Sequence, residues 1–419
     1  MTALSKLTSS LDYNCYEIAH PWTPSCTYAW SYLFLASLRE SGKVYGALYL
    51  FAQLVLARKI SIGAFVQTLQ SAARSSVFLS YNAFFFLFFI CMIRRSTPRL
   101  FLQQTVFVAG FLASFLSIFI ERPNRRKMLS VYMLNIFSEV LFNFLSSRGF
   151  IPSVPGGDIL LLAAGLAGHA YLLNESSGKD PISKALSFLI GKQEFHSAAP
   201  RACPHPNACA GYVTSGFVKP FLVGYLGRCA LSAFAGNPVR LLKNPSQLLE
   251  IFLNRNNAKQ GVSLGGMVAS FRLIRCLLRK RKADDQLSRA AAMFVSASWM
   301  GVSRNRSLSL YVFWKAVEVY YLIGQSQKIL PDVPFSRELI YALSCGFMLF
   351  SGVLEPHNLR SSYLRFLDKL TGEGVSRVNR HPVAVLGFDS TRSWPDYFPY
   401  DLDISKVSRG FLQRVVIWS

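Results

Sequence analysis

The chain alternates long apolar runs with short polar or basic segments. Most runs contain 15–18 residues, and the clearest are 77–93, 106–120, 128–145, 159–173, 290–302, 308–323 and 339–354. A helix needs about 20 residues to cross a bilayer squarely, so each run alone also fits a buried core helix. The recurrence of such runs along one chain favours membrane helices. The sequence therefore predicts an all-α, polytopic membrane protein.

The second half of the chain echoes the first. Four residue pairs share an offset of 179 positions: Tyr132 and Tyr311, Glu139 and Glu318, Pro152 and Pro331, and Pro155 and Pro334. Upstream, the stretch from Cys91 to Arg95 matches the stretch from Cys276 to Lys280 at an offset of 185. Such spacing indicates an internal repeat. It predicts two homologous helical halves with four to five membrane helices each, parallel if four and inverted if five.

Changes in composition divide the chain into five segments. They are a Cys-rich amino-terminal segment (1–30), a first helical repeat (31–192), a linker with a second Cys/His cluster (193–211), a second helical repeat (212–371) and a polar carboxyl-terminal tail (372–419). Because the tail is polar and interrupted by prolines, we expect it to be exposed.

Composition and charge indicate which environment and partner the protein has. Hydrophobic residues make up 51% of the chain and charged residues 16%, against about 25% charged in an average soluble protein. A net charge of +23 would indicate nucleic acid in a soluble chain. Here the basic residues lie in short loops between apolar runs, at 94–99, 122–127 and 279–282. The predicted partner is therefore a lipid bilayer with anionic headgroups and not a nucleic acid. The oligomeric state stays open.

Two acidic residues lie within apolar runs at equivalent positions of the halves. Glu139 and Glu318 each follow a tyrosine by seven positions. A carboxylate at such depth is costly and normally finds a partner inside the helix bundle. The pair is a candidate for proton or substrate coupling. The alternative is structural, with Glu318 paired to nearby Lys315 and Glu139 to a basic residue of a loop.

Cysteine and histidine cluster at the start of both halves. The first cluster is Cys15, His20 and Cys26, and the second is Cys203, His205 and Cys209. Together they offer enough ligands for one tetrahedral zinc ion if the two clusters meet. The spacing departs from the usual short Cys-x-x-Cys pattern. Disulfides or reduced structural cysteines are the competing interpretations.

Glycine spacing and missing motifs narrow the function further. Gly261, Gly265 and Gly266 have the small-residue spacing that lets helices approach closely in a bilayer, although a loose helix start also fits them. The sequence contains no nucleophile elbow, phosphate-binding glycine loop, zinc-protease motif or nucleotide fingerprint. We therefore expect no enzymatic activity.

Several stretches resemble one family. The opening N-C-Y-E-I-A-H-P-W-T-P-S-C (14–26) resembles the start of the transmembrane protein 135 family, whose members have a cysteine-rich amino-terminal domain. Further similar stretches are 120–135, 187–194, 264–271 and 361–371, so the resemblance runs from about residue 11 to 390. The linker around 195–202 and the carboxyl-terminal end depart from it. The glycine-spaced helix is also similar to the protein-import translocase family of the mitochondrial inner membrane.

The resemblance implies a multi-pass protein of mitochondrial and peroxisomal membranes. It also implies links to mitochondrial fission through a dynamin-related GTPase, to peroxisome organisation and to lipid metabolism, and it supplies no catalytic residue. Our first hypothesis is a non-enzymatic regulator of these membranes. The alternative is a transporter or translocation pore for lipid, metabolite or protons that uses Glu139 and Glu318. A third is a metal- or redox-sensing membrane protein.

Overall fold

The structure is a computed structural model of the chain. It describes residues 12–53, 61–152, 154–172, 180–191, 194, 208–235, 246–280, 284–380, 383–384, 386–388, 390–394 and 402–415. These residues form fifteen α-helices and no β-strand, which confirms the all-α prediction.

The helices are numbered along the chain. They are α1 (Cys15–Ile18), α2 (Cys26–Phe51), α3 (Ile62–Ser96), α4 (Leu102–Ser117), α5 (Pro123–Ser147), α6 (Gly157–Tyr171), α7 (Pro181–Ile190), α8 (Cys209–Ala235), α9 (Ser246–Leu253), α10 (Arg255–Lys280), α11 (Asp285–Ser296), α12 (Arg306–Ser326), α13 (Ser336–Leu354), α14 (Ser361–Leu370) and α15 (Arg409–Val415).

Five of the described helices are long and apolar enough to cross a bilayer. They are α3, α4 with the 3-10 turn that follows it, α5, α10 and α13. Three therefore lie in the first predicted half and two in the second. Of the remaining helices, α6 has only 15 residues, and α2 carries Arg39, Glu40 and Lys43 in its middle. The five helices confirm a polytopic helical membrane protein.

The helices form two compact units, and each unit combines helices from both predicted halves. Unit 1 comprises Met1–Pro152 and Val333–Ser419, and unit 2 comprises Ser153–Asp332. In unit 1, α13 packs against α4 and α5; in unit 2, α6 packs against α11 and α12. Since α6 comes from the first half and α13 from the second, each unit contains a helix from the other half.

The chain leaves one unit for the other at two Pro-x-Val-Pro loops with similar backbone turns. Gly149 and Gly156 flank the first loop with φ angles of 76° and 80°. Lys328 and Phe335 flank the second with φ angles of 57° and 58°. Each residue of the second pair lies 179 positions after its counterpart. Glycine adopts the left-handed conformation without strain, whereas a phenylalanine in it is strained. The second loop therefore has the same turn as the first although Phe335 disfavours it.

The described part of the carboxyl-terminal tail packs into unit 1. Val383 is fully buried in an apolar cluster that also contains Tyr13 and Ile18. The Asn379 side chain donates a hydrogen bond to the carbonyl oxygen of Glu17 at 2.8 Å. The expectation of an exposed tail is wrong for these residues, because the apolar side chains scattered through it find a common core with the amino-terminal segment.

Helices α4 and α13 approach each other closely at two glycines, Gly110 and Gly346. A Cβ atom on Gly110 would lie 3.1 Å from the Cα atom of Gly346. A Cβ atom on Gly346 would lie 2.9 Å from the backbone nitrogen of Phe111. Such contacts hold helices together in a bilayer, where burial of apolar surface gives little preference for one neighbour over another.

We predict that Gly346→Ala destabilises the protein by about 1–3 kcal/mol, because the new methyl group overlaps the α4 backbone. The matched control is Gly46→Ala, because a Cβ atom at Gly46 on α2 meets nothing within 4 Å. This control should be neutral or stabilising by up to about 1 kcal/mol through helix propensity. Thermal unfolding in detergent measures both variants. Equal shifts in the two variants would contradict the close contact.

Candidate functional site

Four metal-ligating side chains meet in unit 1. The ligand atoms of Cys15, His20, Cys26 and Cys91 all lie within 4.8 Å of one another. His20 is fully buried, Cys91 is 1% exposed and Cys15 is 8% exposed, whereas Cys26 is half-buried. All three cysteines are free thiols. Three thiols and one imidazole at this spacing can hold a metal ion.

Local sequence signals place the first three ligands. Asn14 and Glu17 form a capping box, in which each side chain accepts a hydrogen bond from the backbone nitrogen of the other, and this starts α1 at Cys15. Pro21 disfavours helical backbone at His20, so the chain turns there. Ser25 then caps α2, whose first residue is Cys26. The chain between α1 and α2 thus turns at His20 and brings Cys15, His20 and Cys26 together.

The orientation of His20 fits a metal ligand. Its Nδ1 atom lies 2.8 Å from the carbonyl oxygen of Thr23, and its Nε2 atom lies 3.6 Å from the Sγ atom of Cys91. A ligating histidine commonly donates one ring N–H to a carbonyl group, which directs the other nitrogen to the metal. The Thr23 contact therefore leaves Nε2 facing the three sulfur atoms.

The electrostatics of the cluster favour a thiolate. The hydrogen bond from the Cys91 thiol lowers the pKa of Cys15 to about 5, against the opposing effect of burial. Burial would lower the pKa of His20, but hydrogen bonds to Cys15, Cys26 and Thr23 outweigh it and raise this pKa to about 9. These shifts favour a thiolate at Cys15 beside a protonated His20. Metal binding would require a neutral imidazole and three thiolates, so it would release protons.

The ligand set differs from the one considered in the sequence. Cys15, His20 and Cys26 do come together, but the fourth ligand atom belongs to Cys91 on α3. Cys203 and His205 lie outside the described residues, and Cys209 begins α8 in unit 2. Cys91 was missed because it lies in an apolar helix, 65 positions after Cys26. Its only sequence signal was its place in the repeat.

Glu139 is paired with an arginine that is distant in sequence. The Arg360 guanidinium contacts both carboxylate oxygens, with Nε 2.6 Å from Oε1. Arg360 precedes α14 and lies 221 positions after Glu139. This geometry matches the structural alternative, in which a basic residue of a loop neutralises the carboxylate.

Glu318 belongs to a larger charged group in unit 2. The Lys315 Nζ atom lies 2.5 Å from Oε2 of Glu318 and 3.8 Å from Oδ1 of Asp180. Asp180 also caps α7 and lies 3.5 Å from Nδ1 of His169. Lysine therefore bridges two carboxylates from separate helices, as the structural alternative proposed for Glu318.

The three predicted packing glycines all lie on α10 at close contacts. Cβ atoms on Gly261 and Gly265 would each lie 2.9 Å from backbone oxygens of α8, those of Phe221 and Phe217. A Cβ atom on Gly266 would overlap the ring of Trp299 at 2.4 Å. Gly261 and Gly265 therefore allow α8 and α10 to pack closely, and Gly266 leaves room for the indole ring of Trp299.

Unit 1 also contains a partly open apolar cavity of about 460 Å³. Its wall includes Leu33, Phe78, Leu87 and Met348 from the helices. Part of the wall comes from the amino-terminal segment, through Cys15, Ile18, Ala19 and Trp22. Volumes of this order suit small ligands with apolar bodies.

These features define a polytopic helical membrane protein with a buried Cys/His cluster at the start of its first unit. Residues 12–146 match the family model of the N-terminal cysteine-rich region of Transmembrane protein 135. The match includes all four ligands of the cluster. The match confirms the resemblance found in the sequence over these residues, where the chain is similar to the cysteine-rich region of the transmembrane protein 135 family. No solved structure matches the chain significantly.

We predict that Lys315→Met destabilises the protein by about 3 kcal/mol, because it removes the cation that pairs with two largely buried carboxylates. The control is Lys43→Met, which breaks an ion pair with Glu40 at a lysine side chain that is 58% exposed. The control should change stability by less than about 1 kcal/mol. Thermal unfolding in detergent compares the two variants. A small effect of Lys315→Met would show that the buried group does not depend on this lysine.

Proposed function

We propose that this protein is a non-enzymatic, multi-pass protein of mitochondrial and peroxisomal membranes that regulates mitochondrial fission, peroxisome organisation and lipid metabolism. The observation that carries the proposal is the match of residues 12–146 to the cysteine-rich region of Transmembrane protein 135. The five apolar helices support a bilayer environment. The basic loops at 94–99 and 122–127 suit anionic headgroups.

A dynamin-related fission GTPase is the partner that we propose. In this proposal the protein acts on membrane shape by holding the soluble GTPase at the membrane. The predicted internal repeat stays part of the proposal, and the two equivalent backbone turns at the Pro-x-Val-Pro loops support it.

The cofactor that we propose is a zinc ion at Cys15, His20, Cys26 and Cys91. Three sulfur ligands and one nitrogen ligand form a common structural zinc site, and thiolates select zinc over hard cations such as magnesium. In a tetrahedral site the ligand atoms lie about 3.5–3.8 Å apart. The separation of 3.6 Å between His20 and Cys91 agrees with this value.

Removing the protein from cells should lengthen mitochondria and change peroxisome number, because less fission GTPase would be held at these membranes. Fluorescence imaging of both organelles measures the effect, and re-expression of the full chain is the control. Co-purification of the GTPase with the full chain in detergent tests the contact directly. Unchanged morphology of both organelles would contradict the proposal.

The alternative function is transport of a lipid, a metabolite or protons. The apolar cavity of unit 1 favours it, because a carrier must enclose its cargo. The ion pairs of Glu139 and Glu318 give both carboxylates a cation partner. A coupling role would therefore require that these pairs open during transport.

If the protein is a transporter, liposomes containing it should show flux that needs both glutamates and an open cavity. The test compares wild type with Glu139→Gln combined with Glu318→Gln, and with Ala83→Phe, which adds a ring to the cavity wall. Loss of flux in both variants is expected. Thermal unfolding of each variant is measured alongside, because the glutamate substitutions also break two ion pairs. Equal flux in all three proteins, or no flux in wild type, would exclude this mechanism.

A further inference from the structure

The amino-terminal segment from Tyr13 to Ser25 contains little regular structure of its own. Its one helix, α1, has four residues. So short a helix is unstable in isolation, because it pays the cost of nucleation for very few hydrogen bonds. The position of this segment must therefore be fixed by contacts with the rest of unit 1.

One side of the segment is fixed by the carboxyl-terminal tail. The backbone nitrogen of Asn379 donates a hydrogen bond to the carbonyl oxygen of Ile18 at 2.9 Å. The backbone nitrogen of Ser408 donates one to the buried carboxylate of Glu17. The ring of Tyr13 packs edge-on against Phe411, with ring centroids 5.2 Å apart. These contacts hold the segment from the side of the tail.

The other side of the segment faces the membrane helix α3. Here the Cys/His cluster is the main polar connection, with Cys15 and His20 from the segment, Cys26 from the start of α2 and Cys91 from α3. The surrounding side chains are apolar, among them Leu33, Leu87 and Trp30. Without a metal these side chains are held by their mutual hydrogen bonds, and metal bonds would add a much stronger link between the segment and α3.

A positive charge stands beside the cluster. A zinc ion with three thiolates and a neutral imidazole carries one net negative charge, which is costly to bury without compensation. Arg94 follows Cys91 by one helical turn and acts on Cys15 electrostatically. It also donates a hydrogen bond to the carbonyl oxygen of Tyr13. The guanidinium therefore offsets the charge of a loaded site.

The cluster and the apolar cavity share a wall. Cys15, Ile18, Ala19 and Trp22 of the segment line the cavity, together with Arg94 beside the cluster. A change in the attachment of the segment to α3 would therefore open or close the cavity at this side.

We propose that a metal ion bound by Cys15, His20, Cys26 and Cys91 is a clasp that fixes the amino-terminal segment to α3 and closes one wall of the apolar cavity. This inference rests on the zinc assignment made above and goes beyond it, because it gives the ion a mechanical role. The largely apolar lining suits a ligand with an apolar body, and Arg94 at the wall could contact a polar group of that ligand. Metal release would open the cavity to such a ligand.

The first experiment is the metal content of the purified full chain in detergent, measured by inductively coupled plasma mass spectrometry after zinc loading and desalting. We expect about one zinc ion per chain. Cys91→Ser should lose most of this zinc. The matched control is Cys276→Ser, because Cys276 is the repeat equivalent of Cys91 and is also buried, but lies in unit 2. The control should keep its zinc.

The second measurement is hydrogen–deuterium exchange of the segment with and without a zinc chelator. Removal of zinc should speed exchange at α1 and at Thr23 by at least tenfold in wild type and in Cys276→Ser. In Cys91→Ser exchange should be fast already and insensitive to the chelator. These readouts use purified protein, so they are independent of organelle morphology and of the proposed role in fission.

The outcomes separate the two parts of the inference. Absence of zinc from wild type, or full zinc in Cys91→Ser, would overturn the ligand set. Bound zinc whose removal leaves exchange of the segment unchanged would overturn the clasp. If Cys91→Ser does not fold, X-ray absorption of the wild type decides the ligand set, because three sulfur neighbours and one nitrogen are expected and an all-nitrogen or oxygen shell would contradict it.

Discussion

Ion pairs between distant parts of the chain decide which helices of unit 1 meet. In apolar surroundings, burial of apolar side chains does not distinguish one helix from another, but a charge must meet its opposite. Three ion pairs join α5 and the residue after it to the region around α13: Arg126 with Glu338, Glu139 with Arg360, and Arg148 with Glu355. They bind near the start, the middle and the end of α5. These three pairs therefore tie α5 to the region around α13 along the length of the helix.

Unit 2 also contains an ion pair between parts of the chain that are distant in sequence, and here the helix carries the cation. There Lys315 on α12 pairs with Asp180, which follows α6, just as Glu139 on α5 pairs with Arg360, which follows α13. The helices correspond in the predicted repeat, but Lys315 lies one helical turn before Glu318, which is the repeat equivalent of Glu139. In both units an ion pair therefore joins this helix to a residue that follows its neighbour, which supports the predicted repeat.

The sequence was informative where the cause is local. Apolar runs predicted helices, and capping residues such as Asn14 and Ser25 fix their starts. The spacing of Gly261 and Gly265 indicated a packing face on α10, because a glycine lets a neighbouring helix come close to the backbone. Contacts between distant residues were beyond reach. Nothing near Glu139 points to Arg360, and nothing near Cys26 points to Cys91. The tail looked exposed because its apolar residues have no helical or strand period.

Helix α13 belongs to unit 1 although it follows unit 2 in the chain, and this order has a consequence for synthesis of the protein. A ribosome delivers the chain from its amino terminus, so α3 to α5 are synthesised long before α13. Unit 1 lacks the partner charges of α5 until residue 360 has been synthesised. A chain that ends before residue 360 leaves Glu139 without its arginine partner. The amino-terminal half therefore lacks an ion pair that holds unit 1 together.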